Sequence, residues 1–584
     1  MKPFSRRPIA FLLSGLLAGF VSAAGAAEEA PAAPAPAAPA AAATDIQGKD
    51  DPGSGLTGQI LYQYLLAEIA ASRGQMPLAA SAYLDLARNT RDARIARRAA
   101  EVAFFGQQTP QALEATRLWL ELEPDSAQAR QTLWTLLANT GRVDELSAAL
   151  SEALKAEGPN AGNALLLVNR VFIRVQDKAA VQRVVEQVSA PYLSLPEAHY
   201  ARALAAVGAA DEAKANAAID EAIRLKPDWE AAVLFKAQLL SKVPEQSLAV
   251  VDALTSRSRD QKDYAEARLV RARLLVELKR YKEAQQAFAK LLEIQPDTPE
   301  LLYAAGLLSL QVGDTATGEK HLRRLLAMNF GDKDSVRVYL GQAAEDRNSP
   351  EEALAYYDAV APGHARYVSA QSRAAAILHS QGKSDEAMVR LEHAISANPK
   401  EKVQLLLAQV QLLSEKGKTE DAYGLLDKAL AEQPEDPVLL YETSLMAEKL
   451  SRYEVLERNL RKLIKLMPDH AQAYNALGYS YADRNVQLEE ARRLLDKALS
   501  LAPDDPFILD SRGWLDFRLG KLPEAEALLR KAAALRSDAE FAAHLGEVLW
   551  QQGKQDEARK VWDAAQKIDP ANELLNSTRK RLQP

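Results

Sequence analysis

From about Leu61 to the end of the sequence, apolar residues recur at i, i+3, i+4 and i+7, and runs that alternate apolar with polar are nearly absent. That period lays one apolar stripe along each segment, so the chain is predicted to be all-α. Prolines punctuate the stripes at Pro124, Pro227, Pro296, Pro399, Pro434, Pro468, Pro503 and Pro570, at intervals of 103, 69, 103, 35, 34, 35 and 67 residues. Proline cannot continue a helix, and each interval is close to a multiple of 34, so the prolines mark the closing edge of a recurring helical unit.

The same register holds small residues. Ala112, Ala215, Ala284, Ala387, Ala422 and Ala558 each stand 12 residues before such a proline. Short turns lead into three of them, from Gly382, Gly417 and Gly553. A glycine there ends one helix in the left-handed conformation, the polar residues after it cap the next helix, and the alanine lets the two helices approach closely. In these features the chain resembles the tetratricopeptide-repeat family, whose unit of about 34 residues is a helix-turn-helix. Two stretches carry the resemblance most fully: Tyr474, Leu477, Gly478, Tyr481, Ala491, Leu495, Ala498 and Pro503, and then Leu545, Gly546, Leu549, Ala558, Trp562, Ala565 and Pro570. The resemblance implies a superhelical solenoid of about 15 helix-turn-helix pairs over 58–570, followed over 571–584 by a polar capping helix and tail. Units near Val181 and Leu248 fit this pattern poorly.

Ahead of the repeats, Lys2, Arg6 and Arg7 precede an apolar run from Ile9 to Val21 and small residues up to Ala26. This is the build of a secretory signal, expected over 1–26, and it predicts a periplasmic protein. The run of 13 residues is shorter than the roughly 20 a membrane-spanning helix needs, and no transmembrane segment is expected later. Residues 27–57 are rich in Ala, Pro, Gly and Asp and read as a disordered tether. Leu17-Ala18-Gly19-Phe20 resembles a lipoprotein processing box with Phe20 in place of the cysteine that would carry lipid. The sequence has no cysteine, so outer-membrane association by cysteine lipidation is chemically closed, as are disulfides and thiol nucleophiles. Loss of the signal removes three positive charges and takes the net charge from −7 to −7 − 3 = −10. Nucleic acid, which needs a basic surface, is therefore not an expected partner.

Catalytic chemistry finds no footing in the pattern. His199, His321, His364, His379, His393, His470 and His544 are scattered, without a His-Glu-x-x-His pair. Nucleophile elbows, Walker loops and dinucleotide fingerprints are missing as well. Glu351-Glu352 and Glu489-Glu490 precede helices, where the helix dipole accounts for them. No catalytic residue, metal site or cofactor is expected.

The family resemblance implies that the first helix of each pair lines a concave groove. In that register the last units present Asn475, Tyr479 and Asp483, then Phe507, Asp510, Trp514, Phe517 and Arg518, then Glu540, Glu547, Trp550 and Gln551. Aromatic residues in a groove are candidate anchors for a protein partner, although Trp514, Phe517 and Trp550 fit equally well as packing between pairs. Two basic runs, Arg268, Arg271, Arg273, Lys279, Arg280 and Lys282, and Arg458, Arg461, Lys462 and Lys465, read either as docking sites for acidic segments or as solvated helix surface. Of the first run only Arg273 falls at a groove position.

A narrower resemblance lies in Leu61-Tyr62-Gln63-Tyr64-Leu65-Leu66-Ala67-Glu68-Ile69-Ala70, with Arg73-Gly74 and the stretch Asn89 to Ala96. This block, joined to the repeats, looks like the bacterial outer-membrane lipoproteins that partner a periplasmic carboxyl-terminal processing protease. That resemblance implies a scaffold that recruits the protease and presents substrates such as peptidoglycan cross-link hydrolases. The alternative is a structural subunit of an exopolysaccharide secretion or envelope-assembly complex, and a third reading is carbohydrate binding through the groove aromatics.

Overall fold

The computed structural model describes residues 57–172, 175 and 177–582. The expected signal over 1–26 lies outside these residues, as does the expected tether over 27–57 apart from Thr57. The Thr57 hydroxyl accepts a hydrogen bond from the Ile60 N–H at 3.3 Å and opens the first helix, Gly58–Ser72.

Among the described residues the chain forms 31 α-helices and no strand. Taken two by two, they make 15 helix-turn-helix pairs and a last helix, Glu573–Leu582. Two compact units divide them: one runs through Met328 and ends on the helix Thr315–Ala327, and the other starts at Asn329 and opens with Lys333–Asp346.

The period of the sequence sets the helix ends. Helices close two residues ahead of each marking proline, as Thr109–Leu122 does before Pro124 and Gln555–Ile568 before Pro570. Helix starts are capped by short acidic or hydroxyl side chains: Asp505 accepts from the N–H groups of Phe507 and Ile508 at 2.9 and 3.3 Å, with Pro506 at the first helical position. The six alanines placed 12 residues before a proline are all fully buried where the two helices of a pair meet. Gly546 shows how tight that meeting is, because a Cβ there would lie 1.9 Å from Nε1 of the fully buried Trp562.

The two stretches that match the repeat poorly have a common cause in the first unit. Lys178–Ser189 buries Val181, Val184, Val185 and Val188, and Pro244–Thr255 buries Leu248, Val251 and Leu254. The helices ahead of them, Ala161–Val171 and Glu230–Leu239, have 11 and 10 residues where Pro506–Arg518 has 13. A shortened first helix shifts the register of the small residues while the apolar stripe of the second helix is kept. In the shorter of the two, Lys236 is buried and its Nζ lies 2.9 Å from both Asn216 Oδ1 and Asp220 Oδ1, so its charge is paired rather than stranded.

At the far end of the second unit, Glu573–Leu582 packs against Ala539–Gln551, burying Leu575 and Thr578 and carrying Arg579, Lys580 and Arg581 in its last turn. No helix among the described residues is long and apolar enough to cross a membrane.

Candidate functional site

In the second unit the first helices Ala471–Asp483, Pro506–Arg518 and Ala539–Gln551 pack side by side. Side chains one repeat apart in sequence therefore meet in space. Asp510 and His544, 34 residues apart, share a buried hydrogen bond in which Nδ1–H of His544 donates to Asp510 Oδ2 at 2.8 Å. The Trp514 ring stacks on His544 with centroids 4.2 Å apart and on Phe517 at 4.8 Å, and its Nε1–H donates to Asp483 Oδ1 at 3.2 Å. Tyr479 faces His544 at 6.1 Å.

Acidic side chains crowd this centre. Burial, with the neighbouring charges of Asp538 and Asp510, pushes the Glu540 carboxyl up from its ordinary range. Burial likewise raises Glu442 and Glu448 on the preceding first helix, Pro437–Lys449, and the Asp483 charge adds to the effect on Glu448. The Tyr479 hydroxyl is raised by burial and then by the charges of Asp483, Asp510, Glu540 and Glu448. Burial alone would lower the His544 imidazole, but the charge and hydrogen bond of Asp510, aided by Asp483 and Glu540, raise it. Polar atoms of these repeats buried without a hydrogen-bond partner among the described residues include the acceptors Asn475 Oδ1 and Asp510 Oδ1, the ring nitrogen His544 Nε2 and the donor Arg484 Nη2.

The residues that the sequence points to in the last units divide into three groups. Tyr479, Asp483, Asp510, Trp514 and Phe517 are brought together around His544 and the ring stacked on it, while Asn475 lies one turn ahead of Tyr479 on the same helix. Trp514 is only 5% exposed and its ring stacks on both Phe517 and His544, so it packs between repeats instead of standing open as an anchor. Phe507, Arg518, Glu540 and Gln551 keep access to solvent: Phe507 is 44% exposed, edge-on to Phe541 and under the Arg536 guanidinium, and Arg518 lies over Trp514 at 5.9 Å. Glu547 and Trp550 are taken by structure. The Glu547 carboxylate is buried and accepts from Arg581 of the last helix at 2.6 Å, and Trp550 stacks on Trp562 at 5.7 Å. Arg273 belongs to the other unit, where it is half-buried and burial lowers its guanidinium.

The two basic runs are largely engaged within the fold. Arg268 donates to the carbonyls of Ser258, Asp260 and Asp263, Arg271 pairs with Asp252, and Arg280 pairs with Glu283. Arg461 bridges Glu457 and Glu490, and Lys462 donates to the Pro434 carbonyl. His544, Glu442 and Glu448 escape a motif search because no local spacing marks them, whereas the 34-residue offset between Asp510 and His544 is close to the repeat length and is a signal that could have paired them. Among the described residues no group of three or more His, Asp or Glu could hold a metal ion.

The tetratricopeptide-repeat signature matches residues 303–367, 454–506 and 511–573, and a second form of it matches 265–298. The chain is 32% identical over 540 residues to the TPR repeat-containing protein PA4667 of Pseudomonas aeruginosa, covering 86% of this chain and 84% of that one. Among solved structures it is similar to a tetratricopeptide repeat protein from Parabacteroides merdae, at 20% identity and a TM-score of 0.36, covering 44% of this chain and 100% of that one. It is also similar to a thermophilic TPR protein of Thermus thermophilus, at 26% identity and a TM-score of 0.29, covering 31% of this chain and 97% of the other. With its helix pairs, its buried small residues and a relative matched along most of both lengths, the chain belongs to the tetratricopeptide-repeat proteins.

Proposed function

We propose that this protein is a non-enzymatic scaffold of the bacterial envelope that captures a periplasmic carboxyl-terminal processing protease and presents substrates to it. Tetratricopeptide-repeat proteins generally mediate protein–protein interaction and are typically non-catalytic, which supports the scaffold half of the reading. The adaptor half is carried by one observation: the block from Leu61 to Ala70, which resembles the lipoprotein partners of such proteases, heads a succession of 15 helix pairs. So many pairs offer surface for a folded enzyme and an extended substrate together. Holding both on one chain raises their effective concentration and strengthens apparent affinity by roughly 10²-fold without new chemistry.

Export is the second element of the proposal. It rests on the charged, apolar and small-residue segments of 1–26, with 27–57 as a tether to the repeats over 58–570 and their cap over 571–584.

A pull-down with residues 28–584 as bait, from periplasmic extract at two salt concentrations with mass-spectrometric identification, tests the reading. Recovery of a carboxyl-terminal processing protease is expected. Recovery of polysaccharide-export or envelope-assembly subunits in its place would overturn it.

A further inference from the structure

The first basic run leaves part of its charge unspent, in a cleft of about 340 Å³ within the first unit. Two second helices, Pro244–Thr255 and Tyr281–Ile294, form its sides, and the first helix Ala265–Glu277 forms a third wall. Arg273, the residue of this run at a groove position, is not part of the lining. The charged lining is Arg268, Arg271 and Lys290 against the single carboxylate of Asp252, and Ala287 and Leu291 add an apolar portion. In a chain of net charge −7 this is a local reversal of sign.

Arg268 builds the cleft. The connection ahead of its helix runs over 256–264, against 502–505 ahead of Pro506–Arg518, and Arg268 gathers it by donating to the carbonyls of Thr255, Ser258, Asp260 and Asp263 at 2.9 to 3.3 Å. The carboxylates of this loop are answered within it: Asp263 accepts from the Ser258 hydroxyl at 2.7 Å, and Asp260 from the Lys262 N–H at 2.9 Å. Arg271 gives its Nε–H to Asp252, which holds the guanidinium and leaves the edge formed by its two Nη groups. Among the described residues no hydrogen bond or ion pair engages those Nη groups or the exposed Lys290 ammonium. Glu283, which stands on the same helix as Lys290, is paired with Arg280.

A guanidinium edge offers two parallel N–H directions that match the two oxygens of a carboxylate, and a nearby lysine adds a point charge. Ala287 and Leu291 suit the methylene stem of an acidic side chain, which a free phosphate and a chain end both lack. We infer that this cleft binds an aspartate or glutamate side chain from an acidic segment of a protein partner, with the Arg271 Nη edge taking both carboxylate oxygens, Lys290 adding its charge and Asp252 keeping Arg271 in position. This deepens the scaffold reading and rests on it, by stating the chemistry of one segment that the scaffold holds.

The test uses the mature chain and fluorescein-labelled peptides of alternating glutamate and serine with an amidated end. One counterpart carries glutamine in place of glutamate, and another carries glutamine with a free terminal carboxylate. Binding by anisotropy is expected for the glutamate peptide, with a loss of about tenfold or more for both counterparts. Arg271→Gln with Lys290→Gln should weaken glutamate-peptide binding about tenfold, and Lys290→Gln alone, at an exposed position the fold does not need, about threefold, with circular dichroism unchanged. Lys279→Gln with Lys282→Gln removes the same two charges from the same run outside the cleft and should leave binding as it is. Equal loss in that control would overturn the inference, because binding would then follow diffuse charge. Equal binding of the glutamate and amidated glutamine peptides would overturn it too, as would equal binding of the free-ended glutamine peptide, which would assign the cleft to a chain end. Displacement of the glutamate peptide by inorganic phosphate at concentrations where acetate has no effect would assign it to phosphate and likewise overturn the proposal. Protease capture by the wild-type chain, measured in parallel, reports on the scaffold reading alone: peptide binding without capture sinks the adaptor role, and capture without carboxylate selectivity sinks only this inference.

Discussion

His544 and Asp510 stand one repeat apart and share a hydrogen bond of 2.8 Å in a site closed to water. The Asp510 charge holds the imidazole above its ordinary value against the opposing effect of burial. A folded value above that of the free side chain, about 6.5, means that the fold favours the charged imidazole. Its contribution to stability is complete below about pH 6.5 and fades as pH rises through the folded value. We expect His544→Gln to destabilise the last repeats more near pH 6 than near pH 9. Urea unfolding followed by tryptophan fluorescence measures this directly, since Trp514, Trp550 and Trp562 all lie in these repeats. A deficit that is constant across pH would mean the pair acts only through packing.

Gly546 makes the opposite kind of demand, one of space. A methyl group there would press into the Trp562 indole, which is fully buried and flanked by Trp550. Neither backbone nor ring has room to yield, so Gly546→Ala should cost at least the 1–3 kcal/mol typical of overpacking. Trp562→Ala should cost about 3–5 kcal/mol by leaving a cavity. The double variant should be less damaging than the sum, because the methyl group partly fills the space the indole vacates. Strict additivity would show that the two sites do not touch.

The last helix is held by charge as well as by Leu575. Arg581 reaches Glu547, whose carboxylate is buried, and Arg581→Ala leaves that carboxylate without its cation. Arg581 is more than half exposed, so the pair itself is screened and adds little. The larger cost is the stranded carboxylate, about 1–3 kcal/mol. Faster hydrogen exchange confined to Ala539–Gln551 and Glu573–Leu582 is expected. Replacing Glu547 with glutamine in the Arg581→Ala background should recover part of the loss, and no recovery would point to lost packing of the arginine stem instead.

Much of this architecture is written in local chemistry. Ala387, Ala422 and Ala558, the prolines twelve residues after them, and the turn glycines each act within one helix pair, so a periodic reading of the sequence finds them and the pair count with them. What periodicity cannot see is which polar residues are buried between pairs. Glu540 and Glu547 lie on the same first helix, yet Glu540 is exposed while Glu547 is sealed under Arg581 of the last helix. Trp514 is buried with two rings stacked on it, and one of these, His544, comes from the next repeat. Such contacts depend on the repeat length as a distance between partners, a signal that the offset of Asp510 and His544 carries.

The turns between helices supply a reciprocal test of backbone cost. Gly417 and Ala210 stand at the same place, two residues beyond the first helix of a pair, with φ of 71° and 58°. Both are exposed, and a Cβ at Gly417 meets nothing within 4 Å, so the left-handed backbone is what separates the two positions energetically. An L-residue there costs about 1–2 kcal/mol, offset in part by the entropy that glycine loses on folding, about 0.5–1 kcal/mol. Gly417→Ala should therefore destabilise its pair, and Ala210→Gly should stabilise its own by up to about 1 kcal/mol. Because stability in a repeat array is a sum of local terms, each change should appear as altered hydrogen exchange in the helices on either side of the substituted turn. If Ala210→Gly instead loosens those helices, the unfolded-state entropy of glycine outweighs the relief of strain, and alanine is the better residue there despite its conformation.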